Sequence, residues 1–139
     1  MKTIAIMAAI VASCAMSAEA APRKYKVGQV WEYRARDQDK GSLLKIRRID
    51  ADIVSAKIGF IYHISIVGIT WADERIPPTL AHAPLSGPAL DASVTRLSTQ
   101  SPDFPSATEG IAAWKRAKGG VWTVPVADVV DAVDRTQKP

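Results

Sequence analysis

The sequence predicts an α+β domain: an antiparallel sheet of three to four strands, followed by three short helices packed mainly on one side. Three observations predict it. The stretch from Ile58 to Ile69 (IGFIYHISIVGI) is β-branched and aromatic and is punctuated by glycine, as a central strand would be. Two shorter apolar runs precede it, separated by polar turn residues. From Ser86 onward the apolar residues recur at helical spacing.

The first twenty residues read as an export signal, which leaves residues 21–139 as a single α+β domain. Lys2 supplies the positive start, Ile4 to Ala12 the apolar core, and Ala18-Glu19-Ala20 a small-x-small cleavage site. That core is about half of what a membrane-spanning helix needs, so no transmembrane anchor is expected. A second reading competes at the same place: Val11-Ala12-Ser13-Cys14 resembles a bacterial lipobox, which would lipidate Cys14 and tether the protein to a membrane. Cys14 is the only cysteine. Cleavage after Ala20 would leave a mature chain with neither a disulfide nor a thiolate metal site.

Val27, Trp31, Tyr33 and Ala35 share alternate positions, so the first strand buries one face through Trp31 and Tyr33. Asp37 to Ser42 is a polar turn. Leu43 to Ile49 forms the second strand, with Leu44 and Ile46 inward and Lys45 and Arg47 toward solvent. A bend at Asp50-Ala51-Asp52 and Ser55-Ala56-Lys57 leads into the long strand and completes an antiparallel meander. Four prolines (Pro77, Pro78, Pro84, Pro88) then predict an irregular connection over Trp71 to Gly87. The first helix is predicted from Ser86 to about Ser98, with Leu90, Val94 and Leu97 on one face. A second carries Ile111 and Trp114 inward and stops at Gly119-Gly120. Val121 to Val124 reads as a short strand at a sheet edge, and a third helix opens at Pro125 with Val126, Val129, Val130 and Val133 on its buried face.

Composition fits an ordinary globular chain, with 47% hydrophobic and 23% charged residues and a net charge of +4. The charge is uneven. Between Ala21 and Arg48 nine basic residues face three acidic ones, a local +6, whereas from Ile49 onward the balance is −2. A basic front half suits an envelope protein or an anionic envelope polymer as partner, and expected export argues against nucleic acid. The opposing reading is a solvated strand face on which alternate residues must be polar.

No catalytic pattern stands out. His63 in mid-strand has the chemistry of a general base, but a buried histidine held by a backbone carbonyl is the simpler reading. His82 reads as an exposed loop residue, no H-x-x-x-H spacing exists, and no cofactor or metal is expected. Asp73 and Glu74, even if paired with Asp103 or Glu109, lack the spacing of a carboxylate pair, and Asp128, Asp131 and Asp134 read as a wet helix face. The serines lack a nucleophile motif. Trp71, beside a loop carrying Arg75 and His82, is the tryptophan expected at the surface, where it would offer a seat for a sugar or a peptide. The candidate binding residues are therefore Arg34, Lys45, Arg47, Trp71, Arg75 and His82.

The segments Tyr25-Lys26-Val27-Gly28-Gln29-Val30-Trp31-Glu32-Tyr33-Arg34, His63-Ile64-Ser65-Ile66 with Gly68, and Gly120-Val121-Trp122-Thr123-Val124 resemble those of a family of small uncharacterised bacterial proteins. The helix opening at Val126-Ala127-Asp128 belongs to the same pattern. The resemblance implies a shared single-domain fold and brings no activity, cofactor or catalytic residue. The expectation is thus an exported, periplasmic, non-enzymatic binding module. The alternative is a small hydrolase or ligand-binding protein that uses a histidine and a carboxylate.

Overall fold

The computed structural model describes residues 24–51 and 58–137; the expected export signal, Cys14 and the bend at Ser55 lie outside them. Five strands form one antiparallel sheet: β1 (Val30–Tyr33), β2 (Leu43–Ala51), β3 (Phe60–Val67), β4 (Thr79–Ser86) and β5 (Val94–Leu97). The spatial order is β4-β3-β2-β1-β5, so β1 to β4 are a meander and β5 crosses to the far edge beside β1. Three helices accompany them: α1 (Gly87–Asp91), α2 (Thr108–Arg116) and α3 (Val126–Thr136). Among the described residues no helix is long and apolar enough to cross a membrane.

The sheet is larger than the three to four strands the sequence suggested, for two reasons. Part of the expected irregular stretch from Trp71 to Gly87 is β4. Pro84 fits there because β4 is an edge strand: the proline's missing N–H falls on the side away from β3, where its carbonyl accepts the Trp122 N–H at 2.9 Å. The expected helix from Ser86 to Ser98 stops at Asp91. Its N-cap is as read, with Ser86 Oγ accepting from Ala89 N–H at 3.2 Å and Pro88 in the first turn. Val94-Thr95-Arg96-Leu97 then pairs with the open edge of β1 and leaves Leu97 51% exposed. Edge pairing of a β-branched segment prevails over a helical spacing of only three apolar residues. The expected strand at Val121 to Val124 is reduced to one bridge, Leu85 with Trp122.

Packing follows from alternation. Leu44, Ile46, Tyr62, Ile64, Ile66, Ala83 and Leu85 lie in one core with Trp31 of β1, Leu90 of α1 and Val126, Val129 and Val130 of α3. His63 and Ser65, between those isoleucines, point to the opposite face, where Gly110 and Trp114 of α2 lie. The helices therefore flank both faces rather than one. Trp71 is not a surface residue: it is 3% exposed, and its Nε1–H donates to the Pro77 carbonyl at 2.8 Å.

A buried polar clasp joins three distant segments. Arg36 donates to Asp39 at 2.7 Å, to Asp134 at 2.9 Å and to the Thr70 carbonyl at 3.1 Å. The same carboxylates accept the Thr70 N–H at 2.7 Å and the Ala72 N–H at 2.9 Å. Asp39 and Asp134 are 1% and 7% exposed, so Asp134 leaves the wet stripe the helical spacing assigned to it. The guanidinium spreads these bonds over three nitrogens, Nε and Nη2 to Asp39, Nη1 to Asp134 and Nη2 to the Thr70 carbonyl, a span that the single nitrogen of an ammonium does not cover.

Candidate functional site: a carboxylate–histidine–histidine chain beside a tryptophan cleft

Two bulges build the site. In β2 the register with β3 shifts between Ile46 and Arg48, so the extra residue, Arg47, rephases the strand and places Arg48 and Asp50 on the face of His63. In β4 the register shifts opposite Ser65, which turns His82 onto that same face. Without the first bulge Asp50 would point into the apolar core.

The result is an unbroken line of polar atoms. Asp50 Oδ2 lies 3.0 Å from His63 Nε2, and His63 Nδ1 lies 2.8 Å from His82 Nε2. The imidazoles are 20° from coplanar with centroids 5.0 Å apart, an in-line arrangement matching the short N···N distance. Arg48 Nε–H donates to Asp50 Oδ1 at 2.8 Å. Trp114 stands edge-on to both rings, 4.8 Å from His63 and 6.5 Å from His82. Gly110 gives α2 its close approach, since a Cβ there would lie 2.6 Å from His82 Cβ. His63 is fully buried and His82 half-buried.

Electrostatics fix the protons. Burial pushes the Asp50 carboxyl up, but the Arg48 hydrogen bond and charge, with His63, outweigh it and hold the group below its ordinary range. Burial lowers His63, helped by the charges of Arg48 and Lys115, and outweighs the pull of Asp50. Burial, then His63, brings His82 down to about 4. At neutral pH Asp50 is therefore an anion and both imidazoles are neutral. His63 Nε2–H donates to Asp50, which leaves Nδ1 bare, so His82 Nε2–H donates to it. His82 Nδ1 is then a lone pair, and no described residue donates to it.

The sequence alone predicts His63 bonded to a backbone carbonyl and His82 exposed on a loop. Side chains hold both instead, and Asp50 is the carboxylate that went unnoticed. The other candidates are dispersed. Arg34 donates to the Ala92 carbonyl at 3.0 Å, Lys45 Nζ sits 5.7 Å over the Phe104 ring, and Arg75 is exposed and forked onto Asp73. Arg47 occupies the β2 bulge, half-buried. Much of the basic front half is also paired: Lys24 with Asp91, Arg36 with its clasp, and Arg48 with Asp50.

Trp114 has a second role. It walls an open cleft of about 410 Å³ together with Pro84, Gly120, Val121 and Trp122. Its Nε1–H donates to the Gly120 carbonyl at 2.8 Å, and Gly119 lies so close that a Cβ would be 2.4 Å from Trp114 Cδ1. Exposed Lys115, Arg116 and Lys118 lie between these lining residues in sequence. Among the described residues no group of three or more His, Cys, Asp or Glu is placed to hold a metal ion. No protein-family model, no curated protein and no solved structure matches the chain.

Proposed function

We propose that the protein is a non-enzymatic envelope binding module for an anionic glycan, seated in the Trp114–Trp122 cleft. The observation that carries this reading is the pairing of two half-buried tryptophans in one open cleft, with three exposed cations, Lys115, Arg116 and Lys118, in the segment that joins its lining residues Trp114 and Gly120. Indole faces stack on the apolar faces of sugar rings, and Gly120, with no atom within 4 Å of where a Cβ would lie, leaves room for one. Lys115, Arg116 and Lys118 supply the attraction for carboxylate or phosphate groups along the polymer. This moves the tryptophan seat expected at Trp71 to the other end of the sheet.

Magnitude argues against catalysis by the histidine chain. A general base works best with a pKa near the operating pH, and His82 at about 4 is well below it. His63 is out of reach of a substrate, and Ser65 Oγ–H is already spent on the Ala81 carbonyl at 2.7 Å.

Titration of the protein with an oligogalacturonate, followed by tryptophan emission and calorimetry, tests the reading. Binding should fall with salt, be absent for a neutral dextran of the same length, and weaken at least tenfold in Trp122→Ala. Equal binding of neutral and acidic oligosaccharides would refute the role of the three cations. No binding of either would refute the function.

A further inference from the structure

We infer that Asp50, His63 and His82 form a one-proton relay, in which a proton taken up at the outer atom, His82 Nδ1, turns that atom from acceptor to donor and leaves its charge on His63. The inference stands apart from the glycan reading, since it concerns a different set of atoms and is tested without any ligand.

The geometry fixes the sequence of events. A direct N···N bond of 2.8 Å needs one proton and one lone pair, and the carboxylate at His63 Nε2 keeps that nitrogen protonated in either state. In the neutral chain every donor points inward: His82 Nε2–H to His63 Nδ1, and His63 Nε2–H to Asp50. When a proton arrives at His82 Nδ1, the Nε2 proton passes to His63 Nδ1. His82 remains neutral with its hydrogen now on Nδ1. His63 becomes the imidazolium, its charge against the Asp50 carboxylate at 3.0 Å. One proton enters at the outer end, one hydrogen bond reverses, no electrons move, and the site gains a single positive charge on the inner imidazole, whose centroid lies 5.0 Å from that of the ring where the proton entered.

The groups facing the chain agree with that destination. On β2 stand Asp50, the anion, and Arg48, bonded to Asp50 rather than to either imidazole; on α2 stand Lys115, which disfavours the charge, and the non-ionising Gly110 and Trp114. Asp50 is the one anion in contact with an imidazole among the described residues, and it touches His63, not His82. A charge left on His82 would have no counter-ion in contact. Coupled imidazoles of this kind titrate as a pair, so the first proton belongs to the chain and the carboxylate decides where its charge rests.

The test is a pH series of ring-nitrogen spectra on protein carrying ¹⁵N-labelled histidine; its only two histidines make assignment direct. Both rings should show the Nε2–H tautomer at pH 8. On acidification one proton should be taken up by the pair, His63 acquiring the doubly protonated signature while His82 changes to the Nδ1–H tautomer. A His82 that is Nδ1–H at pH 8 would overturn the inference, as would a first proton that leaves His82 doubly protonated and His63 unchanged. Asp50→Asn keeps the shape and removes the anion, and should lower the proton affinity of the pair at least tenfold, a drop of one pH unit or more in the midpoint. An unchanged midpoint would overturn the assignment of the carboxylate. If Asp50→Asn fails to fold, the tautomer series on the parent protein still decides.

Discussion

Replacing Gly110 with alanine sets two opposed effects against each other. Alanine is favoured over glycine in a helix interior by about 0.8–1.0 kcal/mol, which on its own would stabilise α2. The added Cβ, however, would lie 2.6 Å from His82 Cβ, 3.1 Å from Cγ and 3.3 Å from Nδ1. His82 Cβ is fixed to the β4 backbone, and its ring is held by His63, so neither yields as a flexible chain end would. The helix has to move, and overpacking of this kind costs about 1–3 kcal/mol. The net expectation is a loss of about 0–2 kcal/mol, the difference between those two ranges, in place of the gain that helix propensity alone would give. Urea unfolding should show a lower midpoint with an unchanged slope. Gly120→Ala, with nothing within 4 Å, is the control and should stay within about 0.5 kcal/mol of the parent. A Gly110→Ala protein more stable than the parent by the full helix-propensity gain of about 0.8–1.0 kcal/mol would mean that α2 does not press on His82.

Arg36→Lys should destabilise by about 3 kcal/mol or more, because an ammonium cannot fork across Asp39 and Asp134 and one buried carboxylate loses its partner; urea unfolding measures it, and a loss under about 1 kcal/mol would contradict the clasp. Stability should fall as pH drops from about 6.5 to about 4, because the unfolded histidines take protons near 6.5 while the coupled pair, with His82 brought down to about 4, resists them in the folded chain. The His82 contribution is thus present above pH 6.5 and lost through that window, on the order of 2–3 kcal/mol after allowance for partial exposure. Asp50 acts in the same direction at lower pH, its lowered carboxyl losing its contribution as pH falls through the folded value. A flat stability profile between pH 6.5 and 4 would refute the histidine prediction, and a flat one below pH 4 the Asp50 prediction. Gly119→Ala should swing the Trp114 indole, whose Cδ1 would lie 2.4 Å from the new Cβ, and weaken oligogalacturonate binding without costing more than about 1 kcal/mol of stability in urea unfolding; undiminished binding would count against the cleft.

The meander was legible because its burial is local. Leu44 and Ile46, Trp31 and Tyr33, and the isoleucines of β3 declare their inner face by alternation, and the structure buries them. What escaped were features that depend on a partner far along the chain. Pro84 suggested a loop because nothing in the sequence says that β4 is an edge strand whose prolyl nitrogen faces outward. Val94 to Leu97 was drawn into a helix because the open edge of β1, which captures it, lies sixty residues upstream. The site suffered twice. Asp50 and His63 are 13 residues apart, and His63 and His82 are 19 apart, spacings that mean nothing until two bulges bring them to one face. A bulge has no sequence mark of its own at Arg47. Had β4 been recognised, the chain's only two histidines would have fallen on adjacent strands, and that alone would have drawn attention to the pair.

The Arg36 clasp has a consequence for the order in which the molecule can be completed. Its cation lies between β1 and β2, one of its anions lies 98 residues later on α3, and the segment after β3 supplies the carbonyl and amides between them. Asp39 comes to the clasp from the turn beside Arg36, whereas Asp134 comes from the last helix alone, so the clasp is complete only with α3 docked. A chain cut short of Asp134 would leave both Arg36 and the Ala72 N–H without that carboxylate, so the far end of the sequence closes a contact begun near its start.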